Sequence, residues 1–95
     1  MLRKMLEQRR EEILRIAANY GAGNIRIFGS VARGEEAPGS DVDFLVDFDH
    51  PHSLFERIGL TQDLEDLLGR RVQVVTGKAL HPYLRDRILQ QAVPL

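Results

Sequence analysis

The chain contains no cysteine in 95 residues. That excludes disulfides, thiolate zinc sites and a cysteine nucleophile. It also lacks any apolar run near the ~20 residues a membrane span requires, and Met1 to Arg10 is too charged for a signal peptide. The expected location is therefore cytoplasmic. A surplus of one charge sign is missing as well: 13 basic residues face 14 acidic ones, so bulk electrostatics carry no nucleic-acid signal. Hydrophobic residues at 43% suit a globular protein, and the length suits one domain spanning residues 1–95.

Hydrophobic periodicity orders that domain. Residues 2–19 predict one amphipathic helix, with Leu2, Met5, Leu6, Ile13, Ile16, Ala17 and Tyr20 on a stripe and Gly21 and Gly23 ending it. Asn24 to Phe28 predicts a short strand running into Gly29-Ser30, and Ser30 to Arg33 resembles a first helical turn. Gly34 to Ser40 is a loop. Asp41 to Phe48 predicts a second strand, with Val42, Phe44, Val46 and Phe48 opposite Asp41, Asp43, Leu45 and Asp47. Ser53 is an N-cap for a helix over 54–68, Arg70 to Thr76 a third strand, and 83–91 a last helix. The expected fold class is α+β: a small mixed sheet of about three strands packed by helices. Phe28, Phe44, Phe48 and Phe55 all fall at apolar positions and are expected in the core.

Chemistry concentrates at two places. Asp41 and Asp43 lie two apart on a strand, so their carboxylates project from one face about 6.5–7 Å apart. Unpaired they repel, raising one pKa; a divalent cation removes that cost. Mg²⁺ favours a few carboxylates plus substrate phosphates, and two carboxylates can bridge a metal pair. Upstream, Gly29-Ser30 combines backbone that a ligand can approach closely with a hydroxyl able to hold an anion. Either piece alone is common in ordinary turns and solvated acids. An EF-hand is excluded because Leu45 and Val46 stand where an oxygen ligand and a glycine are required.

Taken together, Gly29-Ser30, ten intervening residues and Asp41-Val42-Asp43, with Ala32-Arg33-Gly34 between, resemble the signature of the DNA polymerase beta-like nucleotidyltransferase superfamily. The match is to its minimal nucleotidyltransferases, over almost the whole chain. The resemblance implies the polymerase beta-like fold, with Asp41 and Asp43 as catalytic and metal-ligating residues. It further implies Gly29, Ser30, Arg33 and Ser40 at the nucleotide, Mg²⁺ or Mn²⁺ as cofactor, and ATP or another nucleoside triphosphate as substrate. Minimal members commonly act as antitoxins of HEPN-domain proteins, some by adenylylating the toxin. So the resemblance implies transfer of AMP to a protein or small-molecule hydroxyl, with a HEPN-domain partner, or a second copy of the chain, supplying the acceptor side.

One departure stands out. The superfamily's third carboxylate belongs in the segment matched by Val72-Gln73-Val74-Val75, and Gln73 occupies its place. A glutamine carbonyl can coordinate a metal but cannot take a proton, and base catalysis contributes ~10²–10⁴-fold. The alternative expectation is a nucleotide-binding antitoxin or regulatory subunit, weakened or inactive in catalysis, that acts by contact. Asp47 is roughly 13 Å beyond Asp43 along the strand, too far to substitute. Arg33 either neutralises phosphate charge or pairs with Glu35, Glu36 or a nearby Asp. His50 and His52 are expected in a solvated turn, and His81 has no partner visible in the sequence.

Overall fold

The apolar side of the acid-bearing strand is the seed of the fold. In the computed structural model, which describes residues 2–95, β2 (Val42–Phe48) is a central strand. Its Val42, Phe44 and Val46 are fully buried. Each such side chain contributes about 1.5–3 kcal/mol on leaving water. On one side β2 pairs antiparallel with β1 (Ala22–Phe28), and on the other parallel with β3 (Val72–Thr76). The parallel pairing needs a crossover, supplied by α4 (Leu54–Leu68). Its Leu60, Leu64 and Leu68 join the cluster of Phe44, Val72 and Val74.

α4 is well defined at both ends. The Ser53 hydroxyl accepts from Glu56 N–H at 3.1 Å, and Glu56 accepts from Ser53 N–H at 3.4 Å, a capping box. Gly69 ends the helix in the left-handed region, where the absence of a Cβ removes the steric cost.

Three expectations are corrected. The first helix is two, α1 (Leu2–Gln8) and α2 (Arg10–Asn19). Arg9 N–H is shared between the Met5 and Leu6 carbonyls at 3.1 Å each, so the hydrogen-bond ladder tightens there and restarts. The sheet has four strands rather than about three, in the order β3-β2-β1-β4. The fourth is the two-residue β4 (Val93–Pro94), antiparallel to β1. And Phe55 is 85% exposed, not core. At 100° per residue it lies opposite the stripe made by Leu60, Leu64 and Leu68.

β1 begins at Ala22, earlier than its apolar pattern, and carries a bulge between Gly23 and Arg26 with Asn24 at φ 49°. The bulge aims Asn24 Nδ2 and Arg26 at Asp47, at 2.8 and 3.1 Å. Asp47 is thus held by β1 rather than facing a ligand. Two short helices complete the chain: α3 (Gly29–Arg33) after β1, and α5 (Pro82–Gln91) after a 3₁₀ turn. His81, for which the sequence shows no partner, caps α5: its Nδ1 accepts from Tyr83 N–H at 3.2 Å. Among the described residues no helix is long and apolar enough to cross a membrane.

Candidate active site at the end of the central strands

Strand register builds the site. Phe28 pairs with Asp43, and Asp43 pairs with Gln73, so the three lie side by side on β1, β2 and β3. Paired residues share a face of the sheet. It is the face opposite Phe44 and Val74, and Leu45 is fully buried on it one pleat further along. Asp41 precedes β2 and is exposed, while Asp43 is half-buried.

Immediately after Phe28 the chain turns at Gly29, with φ 74°. A Cβ built there would collide with Asp43 Oδ2. Two separate demands therefore require glycine: the left-handed backbone, and direct contact between that backbone and a carboxylate. The halves of the motif, ten residues apart in sequence, touch. Ser30 follows half-buried, with its carbonyl taken by Glu35 N–H at 2.8 Å.

Electrostatics mark Asp43 as the unusual acid. Burial raises its pKa above the ordinary carboxylate value, the charge of Asp41 raises it further, and Arg33 works in the opposite direction. Arg33 is therefore near enough to matter, although its guanidinium is turned to Glu35 (Nε to Oε2, 2.9 Å) and to Gln91 of α5 (Nη1 to Oε1, 3.4 Å). Of the two readings for Arg33, the Glu35 pair is formed. Gln91 carried no signal in the sequence, because only the return of α5 past α3 brings it there.

Ser40 has a local partner. Its hydroxyl accepts from Ala37 N–H at 2.8 Å and its N–H donates to Ala37 O at 2.9 Å, closing the loop that leads into Asp41. The other acids lie elsewhere. Glu36 accepts from Leu2 N–H at 3.3 Å, and Asp49 contacts His50 Nδ1 at 2.6 Å. His52 stacks on Phe48, ring centres 3.9 Å apart. Among the described residues no group of three or more His, Asp or Glu is arranged to hold a metal ion, and beside Asp43 the third position is the neutral Gln73.

The donor set suits a hard divalent cation. Asp43 is a half-buried carboxylate whose ionised form is disfavoured by burial and by Asp41, and among the described residues it forms no ion pair; a cation would reverse both effects. Beside it, the Gly29 turn sets backbone that carries no side chain of its own directly against the Asp43 carboxylate.

Comparisons with known proteins bear on the family and the fold. Residues 6–95 match the family model described as nucleotidyltransferase domain. A Methanocaldococcus jannaschii protein, provisionally named a protein adenylyltransferase, is 42% identical over 84 residues, 88% of this chain and 90% of that one. A solved structure provisionally named a minimal nucleotidyltransferase superposes with TM-score 0.88 at 44% identity, covering 100% of this chain and 97% of the other. A toxin–antitoxin structure with AMP-PNP shares the fold, with TM-score 0.77 at 22% identity, covering 88% and 69% of the two chains. Site, fold and sequence converge: the chain belongs to the nucleotidyltransferase domain family, in its minimal form.

Proposed function

We propose that this protein transfers a nucleotidyl group, AMP from ATP, to a hydroxyl on a protein or small molecule. It would do so in the cytoplasm, as the antitoxin of a HEPN-domain partner. One observation carries the reading: Gly29 backbone lies directly against the Asp43 carboxylate, so a triphosphate at the turn and a cation at the acid would be neighbours. Asp41 and Asp43 would hold Mg²⁺ or Mn²⁺, which when bound neutralises phosphate charge. Gly29 and Ser30 would hold the β- and γ-phosphates. Arg33 would exchange Glu35 for phosphate, and Ser40 would hold the loop beneath the nucleotide. The acceptor hydroxyl would lose its proton to solvent as its oxygen bonds the α-phosphorus and the bond to the pyrophosphate leaving group breaks. The partner role is supported by likeness to a toxin–antitoxin fold.

The test is incubation with α-labelled ATP and Mg²⁺, with and without the product of the adjacent gene. Label on the partner, lost with Asp43→Asn, is the expected result. A stable complex with no label on either protein would sink the enzymatic reading.

A second reading has its own observation. Gln73 stands in register beside Asp43, exposed, where a third carboxylate would complete the site. It cannot accept the acceptor's proton, which favours a nucleotide-binding antitoxin that acts by contact. Gln73→Asp is expected to raise Mg²⁺ affinity and to raise transfer by up to about 10²-fold. Unchanged metal binding, measured by calorimetry, would mean the third ligand position lies elsewhere.

A further inference from the structure

The two edges of the sheet are built differently. The β4 edge is two residues long and contains Pro94, two of the devices that keep strand edges from pairing. The β3 edge, Val72 to Thr76, has neither charge nor proline. The ladder to β2 fixes which of its backbone groups are free. Val42 N–H donates to Arg71 O at 3.0 Å, and in a parallel ladder alternate residues turn both groups to the same neighbour. Arg71, Gln73 and Val75 therefore face β2, while Val72, Val74 and Thr76 turn outward. Val72 N–H is already taken, by Glu65 Oε2 at 3.0 Å. Among the described residues no strand lies on the outer side of Val74.

This edge borders a groove of about 440 Å³ between β3 and α4, with Arg57, Ile58 and Glu65 on its helical wall. Leu54 lies on the same side of α4 as Ile58 and Glu65 at 100° per residue. Leu54 and Ile58 are 61% and 50% exposed, so the wall continues as an uncovered apolar strip.

We propose that a second copy of this chain occupies the groove, with the two β3 strands pairing antiparallel about a two-fold axis at Val74. The argument for a second copy is charge. Among the described residues neither Arg57 nor Glu65 forms an ion pair. They are two turns apart, about 12 Å along the helix, too far to reach one another. α4 runs opposite to β3, and Glu65 is level with Val72 because it bonds that residue's N–H. Arg57 is then about three to four strand residues further on, level with Val75 and Thr76. A two-fold axis at Val74 exchanges those levels, so Arg57 of each copy faces Glu65 of the other, twice. Such a patch complements itself, as an isologous interface must. The two Val74 residues exchange N–H···O=C bonds, and the Asp43 face of both sheets stays on one side. The pairing goes beyond the nucleotidyl-transfer reading and does not rest on it.

The oligomeric state tests it. In sedimentation equilibrium at low salt, the chain without added metal should show a monomer–dimer equilibrium. Arg57→Glu reverses two symmetry-related pairs at once and should weaken the dimer by about tenfold. Adding Glu65→Arg to that variant should restore it to within a few-fold. Because Glu65 also caps Val72, thermal unfolding of each variant identifies those that remain folded. In the parent chain, hydrogen exchange at Val74 N–H should slow as protein concentration rises. A chain that stays monomeric overturns the proposal, as does a dimer indifferent to Arg57→Glu or an unrestored double variant. So does a monomer that instead binds a different protein through Arg57 and Glu65.

Discussion

At the scale of single residues, Gly29 and Asp43 set against each other explain why the motif needs both. Gly29→Ala must place a Cβ at φ 74° and push it into Asp43. The left-handed conformation alone costs about 1–2 kcal/mol, so urea unfolding should show at least that loss, and ATP affinity should fall with it. Asp43→Asn should do the opposite to stability. The raised pKa means the folded state binds its proton more tightly than the unfolded chain does. Stability of the metal-free protein therefore falls as pH rises from the ordinary carboxylate value through the raised one. Removing the charge should raise the melting temperature in EDTA at neutral pH while abolishing divalent-metal stabilisation. A lower melting temperature in EDTA would contradict the burial argument. The pattern was legible in the sequence as two acids two residues apart and Gly29-Ser30 at a strand end, although Asp41 lies just before β2 rather than on it. That Gly29 touches Asp43 was not, because contact depends on β1–β2 register.

At the scale of elements, α4 shows how apolarity and burial separate. Leu60, Leu64 and Leu68 are buried at a spacing of four, whereas Leu54, Phe55 and Ile58 share the composition but not the direction. The N-terminus of α4 is tied to the preceding turn by His50, whose ring nitrogens meet Asp49 at 2.6 Å and Glu56 at 2.7 Å. The hydrogen bonds to Asp49 and then Glu56 raise the His50 pKa, and the bond from His50 chiefly lowers that of Glu56. The signs set a window. The His50 contribution is full below the ordinary histidine value and is lost as pH rises through the raised one. The Glu56 contribution is present above the ordinary glutamate value and is lost as pH falls through the lowered one. Glu56→Gln should therefore lower stability most between those two ordinary values and flatten its decline above the ordinary histidine value, read from urea midpoints across pH. An unchanged profile would show that the clamp contributes nothing.

For the whole molecule, the closing segment matters more than its length suggests. Val93 pairs with Ile27, Leu95 N–H donates to Ile25 O at 3.1 Å, and Arg10 Nε donates to Leu95 O at 2.9 Å. The segment thus joins β1 to α2. Removing residues 93–95 leaves at least two such bonds unmade, at about 0.5–1.5 kcal/mol each. It should cost about 1–3 kcal/mol and raise hydrogen exchange within β1. An unaltered urea midpoint would show that β4 contributes no stability. Nothing in Val93-Pro94-Leu95 reads as a strand, since a two-residue element has no period and proline argues against pairing. The protein's α+β class, its acid-bearing strand and the family resemblance were determined by the sequence alone, because strand alternation and motif spacing are local properties. Tertiary structure alone decided the fourth strand, the Gly29–Asp43 contact and the unguarded β3 edge. Each of these depends on which distant segments lie side by side, and no local period encodes that.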